Sequence, residues 1–450
     1  MIDLSKRKLH NLISNKKFSE ILTGSFWALG ARVISTGLAM VTTIIVARIY
    51  GADVLGIVAM INSFLTLATI FTVLGTNTAI LRLIPEHITK YSVSSAFKVY
   101  RKTQFFVAGI SIVSGGILFV ASPLITTNFF SKPHLSSFFS LAAVFIVFKS
   151  LVLLNTQAVR GVKLIKTFAF MQVLPALTNL LVLTFITLFF FYKNNPVHAL
   201  LTSLLVTAVV GIVMMECQFK KRMHPSDVIQ DMPLKEILTL SWPMLMTATI
   251  QFVIGQTGVI MLGIYRPDAE VGYYAVAVRL ATLTTFVLQA INSIAAPKYS
   301  ELFHAGQMKE LFYVARQSSR LIFWMTTPIL IFLLTMGKAV LNGFFGHDFI
   351  VAYMALIFLV VGQFVNAVSG STGLFMNMTG HERPLRNIIL GAATINVISN
   401  LLLIPRYGIN GASFSAMISL TFWNVYTLIY IKSKLGQLIG YIPFLMNGRK

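Results

Sequence analysis

Acidic side chains are scarce in this 450-residue chain: fourteen Asp and Glu stand against thirty-six Lys and Arg. All fourteen fall in expected loops, tails or helix ends, and none lies in the middle of an apolar run. A cation antiporter needs a buried carboxylate for Na⁺ or H⁺, so export of cationic drugs is disfavoured. One cysteine, Cys217, excludes an intramolecular disulfide framework and a Cys-rich metal site. No GxxxxGK[ST], HExxH or GxSxG motif occurs, and the eight histidines show no ligand spacing. The sequence therefore gives no reason to expect an enzyme, a cofactor or an ATPase within this chain. Charged residues make up only 11%, against about 25% in soluble domains.

Apolar residues fill that space, at 56% of the chain with a mean hydropathy of +0.79. They come in runs long enough for a helix to cross about 30 Å of hydrocarbon at about 1.5 Å per residue. Short alternating segments of the β-barrel kind are not seen. The reading is an all-α polytopic membrane protein with twelve spans, at 22–49, 55–82, 103–128, 138–160, 168–192, 198–219, 238–264, 271–297, 315–340, 351–379, 386–404 and 410–431. The first apolar run follows a basic segment and is too long for a signal-peptide core, so it reads as an uncleaved anchor. In a soluble chain the net charge of +22 would suggest nucleic acid; here its distribution speaks for topology, with no nucleic-acid partner. Twenty-six basic residues fall on one side of this span scheme and six on the other, leaving four inside the spans. The positive-inside rule then places both termini in the cytoplasm. Every outer loop is short, which leaves no room for a large extracytoplasmic domain.

The polar stretch KKRMHPSDVIQDMPLKE falls at mid-chain and reads as a cytoplasmic linker at 220–237. It joins a six-helix bundle at 1–219 to a second at 238–450. A shift of 216 residues supports the division. It lays Glu20-Ile21-Leu22-Thr23 on Glu236-Ile237-Leu238-Thr239, Gly56 on Gly272 and Ala59 on Ala275. Six helices per unit make parallel repeats about an axis along the membrane normal, an arrangement that encloses a central cavity. Pro175 and Pro328 lie within spans and favour kinks, while Gly255/Gly258 and Gly370/Gly373 offer faces for close helix approach.

The four basic residues inside the spans are Arg32, Lys149, Arg279 and Arg320. A cation at the bilayer centre costs about 2.5–3.5 kcal/mol on insertion scales, and no mid-membrane acid offsets it. An anionic ligand from outside the protein is the natural partner, and a diphosphate suits guanidinium groups in particular. Lys149, Thr156 and Arg160 share one helical face running to the cytoplasmic end. Structural alternatives differ by residue. Arg320 can snorkel to the interface, Arg279 can reach Glu270, Asp268 or a helix carbonyl, and Glu216 can pair with Lys220. Asn62, Asn77, Asn179 and Gln256 are among the uncharged polar residues inside spans. They would either line a hydrated cavity for sugar hydroxyls or bond between helices.

Ala47-Arg48-Ile49-Tyr50-Gly51, followed by Gly56, resembles the first hairpin of polysaccharide-export flippases. Leu74-Gly75-Thr76-Asn77-Thr78-Ala79-Ile80-Leu81-Arg82 resembles the close of their second span. Gly380-His381-Glu382-Arg383-Pro384 with Asn396 and Leu402-Leu403-Ile404-Pro405-Arg406-Tyr407-Gly408-Ile409-Asn410-Gly411-Ala412 looks like the C-terminal signature of Wzx-type flippases. That group lies in the multidrug/oligosaccharidyl-lipid/polysaccharide exporter superfamily. The resemblance implies two six-helix bundles in a V and a cation-rich cavity. It also implies transfer of undecaprenyl-diphosphate-linked oligosaccharide to the outer leaflet. Peptidoglycan-precursor flippases of the same superfamily carry two further spans and use arginines in spans one and eight, where Arg32 and Arg279 fall here.

The expected function is thus a flippase for a lipid-linked anionic oligosaccharide, for O-antigen or another surface polysaccharide, in the bacterial inner membrane. Expected substrate-binding residues are Arg32, Lys149, Arg160, Arg279, Arg320 and Asn77. The expected partners are the undecaprenyl-diphosphate-linked unit, membrane lipids and polysaccharide polymerase or chain-length proteins. The rivals are a drug or metabolite exporter of the same architecture and a membrane-embedded polymerase or ligase. A scaffold role leaves the buried cations unexplained.

Overall fold

A computed structural model describes residues 16–223, 229–441 and 443, and every regular element among them is helical. Expectations on Asp3, Lys6, Arg7, Lys8, Asp227, Arg449 and Lys450, and on the side chains of Lys16, Lys17 and Glu20, lie outside the described residues. In chain order the helices are α1 (Lys16–Val73), α2 (Thr76–Lys90), α3 (Val93–Leu124), α4 (Ser136–Gly161), α5 (Ile165–Phe189) and α6 (Asn195–Lys220). They continue with α7 (Leu234–Tyr265), α8 (Asp268–Thr282), α9 (Thr285–His304), α10 (Met308–Val340), α11 (Tyr353–Ser369), α12 (Thr372–Met378) and α13 (Glu382–Leu435).

Among the described residues nine helical segments are long and apolar enough to cross a membrane. The count is ten if α8 and α9, bent by 42° at their junction, form one span. Helices α1 and α13 contain 58 and 54 residues, or about 80–90 Å as straight rods at 1.5 Å per residue, far more than a bilayer holds. Each is broken by one glycine outside the helical region, Gly51 (φ 85°, ψ 178°) and Gly408 (φ 53°, ψ −129°). Division at those two glycines raises the nine segments to eleven, or to the expected twelve where α8 and α9 count as one span.

Other interruptions also fall at glycines. Leu74 (φ 50°) and Gly75 (φ 78°) end α1 inside the expected 55–82 span, and Gly370 (φ 72°) splits the expected 351–379 span into α11 and α12. Pro175 and Pro328, the residues expected to kink, lie inside the unbroken α5 and α10. A proline keeps a helical φ and removes one hydrogen bond; a glycine at positive φ takes the chain out of the helix altogether.

The 216-residue offset reappears in the element boundaries. Helices α3 and α10 end at Leu124 and Val340, and each runs into a five-residue π-turn, Ile125–Phe129 and Leu341–Phe345. The glycines matched by that offset touch each other. Gly56 lies against the Asp268 carbonyl and Gly272 against the Ala52 carbonyl, and a Cβ on either glycine would collide with backbone. Residues 52 and 268 are themselves 216 apart, so the contact is reciprocal, as it must be about a local two-fold axis. Small residues at that axis let α1 and α8 approach backbone to backbone.

The largest apolar cluster surrounds this contact, joining Leu55 and Ile61 of α1 to Leu262, Val276 and Leu280, and on to Leu330 and Phe349. Separate clusters around Tyr100 and Phe219, and around Tyr299 and Phe375, lie toward the other end. The outward face of α3 exposes Ile112, Val113, Ile117 and Val120, a surface suited to hydrocarbon rather than water.

Candidate functional site

Beside the Gly56–Gly272 contact lies a cavity of about 320 Å³, walled by α1, α5, α6, α7 and α8. Its polar lining is Thr42, Thr43, Asn62, Ser63, Asn179, Gln256 and Arg279, with no carboxylate among the described residues. Arg279 comes seven residues after Gly272, two turns along α8 and therefore on the face turned to α1. Its guanidinium donates to Thr43 Oγ1, while the Thr43 hydroxyl gives its own proton to the Ala39 carbonyl at 2.8 Å. Across the cavity Ser63 Oγ and Gln256 Oε1 lie 2.6 Å apart. Two polar contacts thus join α1 to α7 and α8 through the cavity wall.

Lys149, on α4, is half-buried and reaches α1 from behind. Its ammonium donates to Asn62 Oδ1 at 2.9 Å, to the Asn62 carbonyl at 3.2 Å and to Thr66 Oγ1 at 2.7 Å. Lys149 does not itself line the cavity; Asn62 does.

The remaining expected site residues are dispersed. Arg32 is exposed on α1 and has no hydrogen-bond or ion-pair partner among the described residues. It precedes Ala39 and Thr43 by seven and eleven residues, so it shares their face, about 10–16 Å away at 1.5 Å per residue. Arg160 is exposed with its guanidinium 5.5 Å from the centroid of the Phe168 ring, and Arg320 is exposed over the Tyr441 ring at 5.8 Å. Asn77, in the first turn of α2, is half-buried and outside the cavity lining. The structure therefore gathers Arg279 with Asn62 and, behind it, Lys149. It sets Arg32 on the same wall and leaves Arg160, Arg320 and Asn77 elsewhere. Thr43, Ser63 and Thr66 were missed as site residues. Their signal in the sequence is weak: hydroxyls inside apolar runs, which helices often satisfy with their own carbonyls.

The structural alternatives for the cations also resolve. Arg279 does not turn to Asp268 or Glu270, because both acids are engaged. Asp268 holds Lys132 Nζ at 2.7 Å and His134 Nε2 at 2.8 Å, and Glu270 holds Arg266 at 3.1 Å. Lys132 also donates to the Arg266 carbonyl at 2.7 Å, and Arg48 donates to the carbonyls of Gly343 and Phe344. These residues are the ones expected on the outer side, and they tie the two halves of the chain together at that end. Glu216 pairs with Arg101 of α3 at 3.3 Å instead of Lys220, because α3 packs beside the last turn of α6.

Residues 45–353, or 309 of the 450, match the family model described as polysaccharide biosynthesis protein. The chain belongs to that family. A probable low-salt glycan biosynthesis flippase of Haloferax volcanii is 23% identical over 175 residues, 39% of this chain and 37% of that protein. The match to that relative thus covers little more than a third of its length. An uncharacterized membrane protein of Methanocaldococcus jannaschii is 18% identical over 88% of this chain and 80% of its own. Among solved structures, an inward-facing multidrug resistance MATE family transporter of the MOP superfamily aligns with a TM-score of 0.75. It is 13% identical and covers 92% of this chain and 98% of that one. The lipid II flippase MurJ, in an inward closed conformation, aligns at 0.69 with 14% identity, covering 91% and 87%. At such identities the likeness is one of fold, and it makes this polysaccharide biosynthesis family member a multi-pass membrane protein with a transporter architecture. The Haloferax relative is a probable flippase, and the two solved structures are a transporter and a flippase.

Proposed function

We propose that this member of the polysaccharide biosynthesis family flips a lipid-linked anionic oligosaccharide across the cytoplasmic membrane. The finer reading is an undecaprenyl-diphosphate-linked repeat unit of O-antigen or another surface polysaccharide, delivered to later polymerase and chain-length proteins. Both termini face the cytoplasm and the membrane is a bacterial inner membrane in this reading. The observation that carries it is Arg279, a cation inside the membrane part of the fold, facing a cavity whose lining has no acid. A buried guanidinium with neutral partners attracts phosphate or carboxylate oxygens.

The two halves, 1–219 and 238–450, act as bodies rocking about the Gly56–Gly272 contact. The outer ties at Lys132, His134 and Arg48 hold the outer end shut, so the head group enters past the exposed Arg320, Arg160 and Arg32. A cavity of about 320 Å³ lies at the small end of ligand pockets, about 300–1,000 Å³. It admits a charged head group, and a repeat unit of several sugars requires the halves to part. The lipid tail stays in the bilayer through a lateral opening between them.

The test is transport of a lipid-linked oligosaccharide in vesicles carrying the purified protein. Loss of a charge-assisted hydrogen bond costs about 1.5–3 kcal/mol, so Arg279→Gln is expected to slow transport about tenfold or more with the protein still folded in the membrane. Unchanged transport by that variant refutes the reading. Faster export of a cationic dye by Arg279→Gln would favour the drug exporter instead.

A further inference from the structure

Lys149 was expected to touch the substrate, yet its ammonium has three protons and α1 supplies three acceptors: Asn62 O, Asn62 Oδ1 and Thr66 Oγ1. Thr66 gives its own hydroxyl proton to the Asn62 carbonyl at 2.6 Å, so its oxygen is free to accept. The consequence falls on Asn62. A lysine has only donors, so the carboxamide atom it meets at 2.9 Å is the oxygen, and the orientation of that amide is fixed by chemistry. The Asn62 Nδ2 group makes no hydrogen bond with any described residue, and Asn62 is exposed although it lies inside a membrane helix, lining the cavity. Arg279 lines the same cavity and donates to Thr43. A guanidinium carries five N–H groups, so several remain. Gln256 also lines the cavity, its Oε1 accepting from the Ser63 hydroxyl at 2.6 Å.

We propose that Lys149 is a positioning residue that locks Asn62 as a hydrogen-bond donor, so that the cavity grips its anionic ligand through Asn62 Nδ2 and Arg279 rather than through Lys149. This rests on the reading of the cavity as an anion site and adds which atoms confer the selectivity. The ligand class is an acceptor-only group, a phosphate or diphosphate head. An asparagine free to turn would offer oxygen and nitrogen alike; tied to an ammonium it offers only N–H. The ammonium also adds a positive charge one residue behind the cavity wall, with no carboxylate in the lining to cancel it.

The test is binding of inorganic diphosphate to the purified protein in nanodiscs, by calorimetry, with melting temperature recorded for each variant. Arg279→Gln is expected to weaken binding about tenfold. Asn62→Leu and Lys149→Met should each weaken it about tenfold, and the double variant should be no weaker than either single one. Asn62→Asp is the sharper arm, because it keeps and strengthens the tie to Lys149 while replacing the donors with a carboxylate. It should melt no lower than the parent and bind about a hundredfold more weakly. Lys149→Arg, which also donates to Asn62, should restore most of the binding lost in Lys149→Met. If Asn62→Leu and Lys149→Met add, or if Asn62→Asp binds normally, Lys149 contacts the ligand itself or serves packing alone, and the proposal fails while the anion-site reading survives. If the parent protein binds no diphosphate, or Arg279→Gln binds as well as the parent, both fall together.

Discussion

Asp268→Asn should open the outer end of the protein. The carboxylate joins Lys132 at 2.7 Å and His134 at 2.8 Å, and the Lys132 and Asp268 side chains are only 12% and 10% exposed. Removing one partner of a buried ion pair costs about 3–5 kcal/mol when the other charge is left stranded. Lys132 keeps the Arg266 carbonyl at 2.7 Å, and both side chains sit at a rim rather than in a core, so about 2 kcal/mol is the share expected here. The carboxylate also sits at the N-terminus of α8, where an acid gains about 0.3–1 kcal/mol from the helix dipole. That gain is present whether the end is open or closed and drops out of the difference. At about 1.4 kcal/mol per tenfold change, the open population rises about thirtyfold.

The assay is labelling of Ala275→Cys, a cavity position, by an impermeant maleimide added outside right-side-out vesicles, with Cys217 replaced by Ser. The labelling rate should rise about thirtyfold in Asp268→Asn and to a similar extent in Lys132→Met. The double variant should match the singles, since the pair acts as a unit. If none of the three labels faster than the parent, the ion pair does not hold the outer end shut.

Gly272→Ala places a methyl group against the Ala52 carbonyl, and overpacking of this kind costs about 1–3 kcal/mol; the variant should melt lower and also label faster at Ala275→Cys. Gly56→Ala meets the Asp268 carbonyl and should behave alike, and a difference between the two would count against a two-fold contact. His87, at the end expected to face the cytoplasm, is buried and bonds Ser95 Oγ at 3.0 Å, which in turn donates to the Gln230 carbonyl at 2.8 Å. Burial holds its pKa below 6.5, against opposing pulls from Glu86 and Glu236 and with Lys90 adding to the depression. A depressed folded-state value means the unfolded or released state takes up the proton more readily. The contact is therefore intact above pH 6.5 and weakens as pH falls below it. Amide protection factors around residues 229–232, corrected for the intrinsic exchange rate, should fall between pH 7.5 and 5.5, and His87→Gln should remove that dependence. Glu216→Gln should lower the melting temperature modestly through Arg101, and Lys220→Gln should not, because the 3.3 Å pair is with Arg101.

The helical class, the membrane setting and the internal offset were legible because they are properties of pattern. A run of apolar residues and a constant shift of 216 can be counted without knowing any contact. The breaks were harder. A proline announces itself, but what interrupts these helices is positive φ at Gly51, Leu74-Gly75, Gly370 and Gly408, and a sequence does not distinguish those glycines from ones inside unbroken helices. The candidate site was legible in its charges and obscure in its partners. Arg279 and Lys149 stand out as cations in apolar runs, yet nothing in spacing says that one meets Thr43 and the other Asn62, residues 236 and 87 positions away.

The scarcity of acids takes on a different weight once their places are known. Glu86, Glu216, Asp231, Asp268, Glu270 and Glu301 are all paired, and each pair ties segments or neighbouring turns at one end of the fold or the other. Asp268 ties Lys132 and His134 at the rim expected to face outward, while Asp231 pins residues 231–232 to Lys98 and Lys102 of α3 at the opposite end. No carboxylate lines the cavity between these rims, so the positive charges of Arg279 and Lys149 add there with no opposing charge in its walls. A lone acid placed at Asn62 would pair with Lys149 and cancel much of that field. The same substitution would be minor at a rim. The function proposed for the cavity thus depends as much on where the described acids are absent as on where Arg279 and Lys149 stand.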